Sequence, residues 1–263
     1  MIRSTLLPLQ GGNNKPIRSP RALPWADGSL ALRAVLILAL FLCAITPVKA
    51  QSPKDFTARV ALNGGWTMKA GKTPNDNPAY YKDYLESVKQ GWSLGANAQF
   101  CIYNWFSLGA YYDYFKKSSY LILSYTQTEQ NVTQEINNTY TIDFLALSLG
   151  IQKSDDKNRY MLHYLIGFMD YKEVGNYSPY YAWVSNYTVG HCLGHGVMMS
   201  YDHMVNKHLA IGAELTYCIG SIKELNHQGH LGDPNNLITG TSQLDDPIKL
   251  HRLSPKVGLR YYF

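Results

Sequence analysis

Along much of this chain apolar and polar residues alternate one by one. In 56–68 Phe56, Ala58, Val60, Leu62, Gly64, Trp66 and Met68 are interleaved with Thr57, Arg59, Ala61, Asn63, Gly65 and Thr67. Successive side chains of a strand point to opposite faces, so this period predicts a strand with one apolar and one polar face. The pattern returns in 92–102 (Trp92, Leu94, Ala96, Ala98, Phe100, Ile102) and in 106–114 (Phe106, Leu108, Ala110, Tyr112, Tyr114). Leu145, Leu147, Leu149 and Ile151 mark a strand in 141–152, and Tyr160, Leu162, Tyr164, Ile166 and Phe168 one in 160–171. In 190–204 the apolar face is Leu193, Val197, Met199 and Tyr201, shared with His195. Leu209, Ile211, Ala213, Leu215 and Tyr217 in 208–218, and Leu253, Val257, Leu259, Tyr261 and Phe263 in 250–263, bring the count to eight strands.

The connections are sorted by length. Strands 2 and 3 are separated by residues 103–104, strands 4 and 5 by 153–159, and strands 6 and 7 by 205–207. The other gaps, 70–90, 115–139, 172–189 and 219–248, are long, polar and rich in Asn, Gly, Pro and Tyr, and read as loops. Strict alternation of short and long connections is expected of an up-and-down barrel held in a membrane, with tight turns on one side and long loops on the other. Aromatic residues support the same geometry. Phe56, Trp105, Phe106, Tyr160, Tyr261 and Phe263 fall at the short-turn end, and Trp66, Trp92, Tyr112, Tyr114, Phe168 and Tyr217 at the long-loop end. Amphipathic rings collect at both membrane interfaces.

Charge changes the picture once the chain is divided. The formal net charge is +5. Residues 1–50 carry six basic residues and Asp27, which gives 6 − 1 = +5; the remainder has 24 − 6 = 18 basic and 19 − 1 = 18 acidic residues. The basic excess belongs to the leader, which removes the case for a nucleic-acid partner. Arg33, the apolar run Ala34–Ile45 and the short residues ending at Ala50 form the charged region, apolar core and cleavage site of a secretory signal. The domain reading is therefore an N-terminal extension over 1–29, disordered or an upstream mis-start, a signal peptide over 30–50, and a barrel over 51–263. Cys101, Cys192 and Cys218 of the exported part have no metal-like spacing and read as small residues in a packed interior.

On these residues, and on the closing stretch Val257-Gly-Leu-Arg-Tyr-Tyr-Phe263, the chain resembles the eight-stranded outer-membrane barrels of Gram-negative bacteria, the porin-like OmpX/OmpW/OmpA-barrel type. The resemblance implies an all-β, eight-stranded antiparallel up-and-down transmembrane β-barrel in the bacterial outer membrane. It implies that Val257, Leu259, Tyr261 and Phe263 form the signal read by the barrel-assembly machinery. The final strand would then pair with the first. Pro255 departs from this picture, because it has no amide donor for a fully paired strand, and a bulge near Ser254–Pro255 is expected.

Eight strands leave an interior that side chains fill. Charges there must pair, since an unpaired buried charge is costly. Arg59, Asp113, Asp202, Glu214, Arg252, Lys256 and Arg260 form the candidate network, with Glu214 meeting Lys256 across strands 7 and 8. A polar plug is expected, with a narrow conduit or proton path as its alternative. The surface candidates are Tyr80, Tyr81, Tyr84, Tyr177, Tyr180, Tyr181 and Trp183 in the outer loops. Tyr and Trp offer large contact area at low entropic cost, which suits an extracellular ligand or glycan. His191 and His195 would lie about 13 Å apart on a strand, with Cys192 on the other face, so no metal and no cofactor is expected. No histidine is followed two residues later by the serine of a lipid A deacylase pair. The expected function is non-enzymatic: a plugged barrel bathed in outer-membrane lipid, with structural or surface-binding duties. The alternatives are a barrel enzyme acting on outer-leaflet lipid and a soluble lipocalin-like carrier.

Overall fold

The computed structural model describes residues 58–69, 89–127, 130–155, 157–178, 184–231 and 237–263. The leader, Phe56, Tyr80, Tyr81, Tyr84, Tyr180, Tyr181 and Trp183 lie outside the described residues. All the regular elements described are strands: β1 (Ala58–Lys69), β2 (Gln90–Tyr103), β3 (Phe106–Gln127), β4 (Gln130–Ser154), β5 (Asn158–Ser178), β6 (Val184–Met204), β7 (Leu209–Ile219), β8 (Ser221–Leu231), β9 (Leu237–Lys249) and β10 (Arg252–Tyr262).

Ten segments make eight staves. Each strand pairs antiparallel with its neighbour in sequence from β1 to β7, β10 pairs with β7, and β1 pairs with β10, which closes the ring. The closing ladder runs from Arg59 opposite Tyr262 to Lys69 opposite Arg252. β8 continues the stave of β7 past Gly220, and β9 leads into β10 across Leu250 and His251. The Leu250 amide donates to the Gly220 carbonyl at 2.9 Å, so the two bends face each other. Gly220 has a packing reason: a Cβ there would come within 2.6 Å of Met169 Sδ.

The long connections differ from the loops that the sequence suggested. Much of 115–139, 172–189 and 219–248 is strand. The β3–β4 ladder runs without a register shift from Phe106 opposite Ile151 to Gln127 opposite Gln130. These stretches carry no continuous outward apolar run, so their period is hard to see, while Thr, Tyr and Val still favour extended backbone. Cross-strand pairs such as Ser118 Oγ and Thr139 Oγ1, 3.0 Å apart, tie the polar rungs together.

The short turns are closed by local polar groups. Asp155 Oδ1 accepts from the amides of Lys157 (3.1 Å) and Asn158 (2.8 Å). Those bonds hold the exposed Asp155 carboxyl below the usual carboxylate range. Asn206 Oδ1 accepts from the amides of His208 (2.9 Å) and Leu209 (2.8 Å), the side-chain turn that Asn favours. Pro255 produces no bulge. The β10–β1 pairing lapses at Ser254 and Pro255 and resumes in the same register, while pairing to β7 continues through Pro255 opposite Leu215. Thr67 Oγ1 donates to Ser254 Oγ at 2.7 Å across the lapse, so a side-chain bond spans the gap the proline leaves.

Candidate functional site

The alternation sorts the side chains cleanly. Leu94, Leu147, Ile211 and Leu259 face outward with 53%, 62%, 56% and 58% of their surface exposed. Their neighbours Ser93, Asn97, Ser148, Glu214 and Arg260 face inward and are buried. Exposed aromatics bound the apolar exterior. Trp105, Tyr160, Tyr201 and Tyr261 stand near the short turns, and Trp66, Trp92, Phe168 and Tyr217 near the other end. They associate in pairs: Tyr160 with Tyr201 (centroids 5.3 Å apart), Tyr261 with Phe263 (4.8 Å) and Trp92 with Tyr114 (5.6 Å). From Phe106 to Tyr114 is about 27 Å of strand, or about 20 Å of height at a typical ~40° tilt. That height approaches the apolar band of a membrane barrel.

The interior is bridged by polar side chains from facing staves. Near the short turns, Asp202 of β6 takes Arg59 Nε of β1 and Arg260 Nε of β10, each at 2.8 Å, and the Tyr262 hydroxyl at 2.5 Å. One level further in, Asp113 of β3 pairs with Lys256 Nζ (2.6 Å) and Arg252 Nη2 (2.9 Å), both from β10. Lys256 Nζ lies 3.5 Å from Glu214, its register partner on β7. Asn63 and Asn97 donate to Glu214 at 3.0 and 3.1 Å. Tyr111 reaches from β3 to β7, the opposite side of the ring, where its hydroxyl meets Glu214 Oε1 (3.3 Å) and Thr216 Oγ1 (3.2 Å).

Half of the interior is apolar, which the sequence reading of a charged lumen lacks. Phe115, Phe144, Leu165, Met169, Met198, Ile222 and Leu250 form a buried cluster with Tyr111 and Cys218. It lines the wall built mainly by β3 to β6, opposite the ionic side chains of β1, β7 and β10. Tyr111 joins the two halves, its ring edge-on to Phe144 at 6.1 Å and its hydroxyl accepting from Lys256 Nζ at 2.8 Å. The signal was present in the sequence. Ile142, Phe144 and Ala146 alternate with Leu145 and Leu147, so β4 is apolar on both faces.

Against solved structures the chain is similar to three outer-membrane proteins. Ail, the attachment invasion locus protein of Yersinia pestis, matches at 12% identity over 79% of this chain and 99% of that chain, TM-score 0.40. A major outer membrane protein from Thermus thermophilus matches at 11% over 78% and 99%, TM-score 0.49. The outer membrane protease OmpT from Escherichia coli matches at 8% over 82% and 99%, TM-score 0.42. No family model and no curated protein matches the chain. The closed ring and its apolar outer surface decide the architecture. The fold is that of an eight-stranded outer-membrane β-barrel.

In this barrel all seven candidate network residues are buried in the interior and joined by ion pairs. Arg159 is a further buried cation that the sequence reading did not single out; its guanidinium lies 4.6 Å from the Tyr262 ring centroid. Among the surface candidates Tyr177 is within β5, opposite Ile136 and Val184. Val257, Leu259 and Tyr261 are exposed on the outer face of β10, and the Phe263 amide donates to the Ala58 carbonyl at 2.9 Å. Cys101, Cys192 and Cys218 are unbridged. His191 and His195 stand on the outer face of β6 and Cys192 packs against the interior cluster. Among the described residues no group of His, Cys, Asp and Glu could hold a metal ion.

Two outward polar pairs escaped the sequence reading, because each spans two strands. His191 Nδ1 lies 2.5 Å from Asp170 Oδ1, and His195 Nδ1 lies 2.6 Å from the Tyr164 hydroxyl. Gly91-Trp-Ser-Leu-Gly95 also spells the G-x-S-x-G of hydrolase nucleophiles. That motif needs a sharp turn from strand to helix with the serine exposed. Here the pentapeptide is straight strand inside β2, and Ser93 is buried facing the interior.

Proposed function

We propose that this protein is an integral, non-enzymatic outer-membrane barrel whose interior is plugged, and that it serves as a rigid base for a surface-binding rim. The observation that carries the reading is the crossing of the axis by hydrogen-bonded side chains, Tyr111 to Glu214 above all. An interior bridged from stave to opposite stave has no continuous aqueous path, and its charges hold each other in place. The rim is supported by strand length. β3, β4, β5 and β6 have 22, 25, 21 and 21 residues against 12 for β1. They continue well past the level of Trp66 and Trp92, and β8 and β9 form a further hairpin. Strands supply a firmer platform for Tyr-rich contact residues than loops do, and less entropy is lost when a ligand or glycan binds.

Planar-bilayer recording tests the plug. Purified protein is expected to give no steady conductance, and long-lived ohmic openings would refute it. A barrel enzyme acting on outer-leaflet lipid is the second reading, favoured by the outward His191–Asp170 pair near the upper aromatic girdle. Neither His191 nor His195 is bonded to a serine, threonine or cysteine among the described residues: their partners are Asp170 and Tyr164. A lipid A profile unchanged on deletion of the gene supports the first reading, and an altered one supports the second. A soluble carrier needs its apolar face inside, the reverse of the placement of Leu94, Leu147, Ile211 and Leu259.

A further inference from the structure

Side-chain size varies along the outer wall of the barrel. Two neighbouring rungs of outward side chains cross the strands in its short-turn half. The first runs by register from Lys153 on β4 through Tyr160, Tyr201, Ala213 and Val257 to Gly64 on β1. The second runs beside it from Ile151 on β4 to Pro255 on β10. Between them Met161, Ser200, Glu214 and Lys256 turn inward and are buried, so the floor is backbone. The result is a groove of about 810 Å³ on the outer face. Tyr160 and Tyr201, with ring centroids 5.3 Å apart, wall one end, and the small residues Ala213 and Gly64 keep the other end low.

The groove is polar at one end only. Of the outward side chains that line it, Lys153 alone is charged. Lys153 is exposed and has no hydrogen bond or ion pair among the described residues. Asp155 lies within its field, in the exposed turn, and is already bonded to the amides of Lys157 and Asn158. Tyr160 is the register partner of Lys153, which puts their Cβ atoms about 5 Å apart. Its hydroxyl has no partner among the described residues, whereas the Tyr201 hydroxyl donates to Asn158 Oδ1 at 2.8 Å. The groove also has a direction. Lys153 lies two residues from Asp155 in its short turn, Ala213 four from Leu209, and Gly64 six from Ala58. Each residue adds about 2.5 Å of height at a typical ~40° tilt, so the groove climbs about 10 Å from Lys153 into the apolar band.

We propose that this groove holds one glycerophospholipid from the leaflet on the short-turn side, with its phosphate on Lys153 and Tyr160 and an acyl chain lying across β5 and β6 toward Ala213. An ammonium and a hydroxyl side by side give a phosphate oxygen one charge-assisted and one neutral hydrogen bond. The lysine stem lies along the apolar wall while its charge stays at the interface. A membrane lipid has its head at the interface and its chains inward. The groove presents a cation and then an apolar trough in that same order. Rungs on both flanks add contacts that a lipid on the rest of the wall lacks, and these hold it against exchange. The site lies on the outer wall and is independent of the plug and of the surface-binding role proposed for the rim.

The test titrates the full chain, refolded in detergent, with dioleoyl phosphatidylglycerol or with dioleoylglycerol, which has the same chains and no phosphate, and reads bound lipid by native mass spectrometry. One phosphatidylglycerol is expected to be retained per chain, ahead of further adducts, with weaker retention of dioleoylglycerol. Lys153→Gln is expected to weaken phosphatidylglycerol retention about tenfold, the loss of one charge-assisted bond, and to leave dioleoylglycerol unchanged. Lys207→Gln, in the β6–β7 turn and outside the groove, is expected to change neither. Ala213→Phe, which fills the trough, is expected to weaken both. Equal retention of the two lipids, equal losses in the two lysine variants, or a lipid-free dimer in place of the lipid-bound chain overturns the proposal.

Discussion

Asp202 is the residue on which the short-turn end of the interior converges. It is buried, accepts hydrogen bonds from Arg59 and Tyr262, and is ion-paired with Arg260. Removing one member of a buried pair leaves the partner charge stranded, at a cost of about 3–5 kcal/mol. Asp202→Ala is expected to lose that much in reversible urea unfolding. A loss under about 1 kcal/mol would mean that water already solvates Arg59 and Arg260. On the other face the rule inverts. Leu147 is exposed in the middle of the apolar band, where a lysine costs a membrane barrel about 2–4 kcal/mol. Leu147→Lys is expected to destabilise the barrel by that amount in lipid, and a neutral effect would place Leu147 away from hydrocarbon. Some of this was legible in the sequence and some was not. Glu214 and Lys256 sit on staves that come together in the ring, so their meeting could be read from strand order. Arg59 and Asp202 meet from three staves apart, through side-chain reach that no alternation encodes.

At the scale of elements, the amphipathic strands were readable because one face met a different solvent from the other. The band of each stave between the aromatic girdles was therefore clear, with ends within a few residues of those observed. Beyond the upper girdle the outward positions of β3 and β5 pass to Lys116, Ser118, Asp170 and Lys172, so the alternation fades and the residues looked like loop. The staves β7–β8 and β9–β10 were cut short for the same reason, at Gly220 and Leu250. β6 pairs with β8 over Val184–Val189, and β9 pairs with β8, so the hairpin is attached to the rim along one side. Replacing residues 223–247 by a short turn is expected to leave the barrel closed, as read by its heat-modifiable migration in gels, while removing that part of the rim. A barrel that no longer refolds would show that β8 and β9 belong to its folding core.

At the scale of the molecule, two solvents and one ring explain the architecture. The outer face carries leucines and girdling aromatics, the inner face carries ions and an apolar cluster, and the ring from β1 to β10 leaves no open edge between the girdles. The apolar half of the interior was missed because β4 and β5 are apolar on both faces, and a pattern-based reading assigns only one of them. Its presence beside the ionic half lets one small interior be filled without stranding every charge. The most direct measurement of the account is site-directed spin labelling of Leu147, Ile211 and Leu259 in lipid, with collision rates toward oxygen and toward a water-soluble nickel chelate. All three sites are expected to collide readily with oxygen and scarcely with nickel, as side chains facing hydrocarbon do. Shielding of all three from both reagents would place them in a core and contradict it.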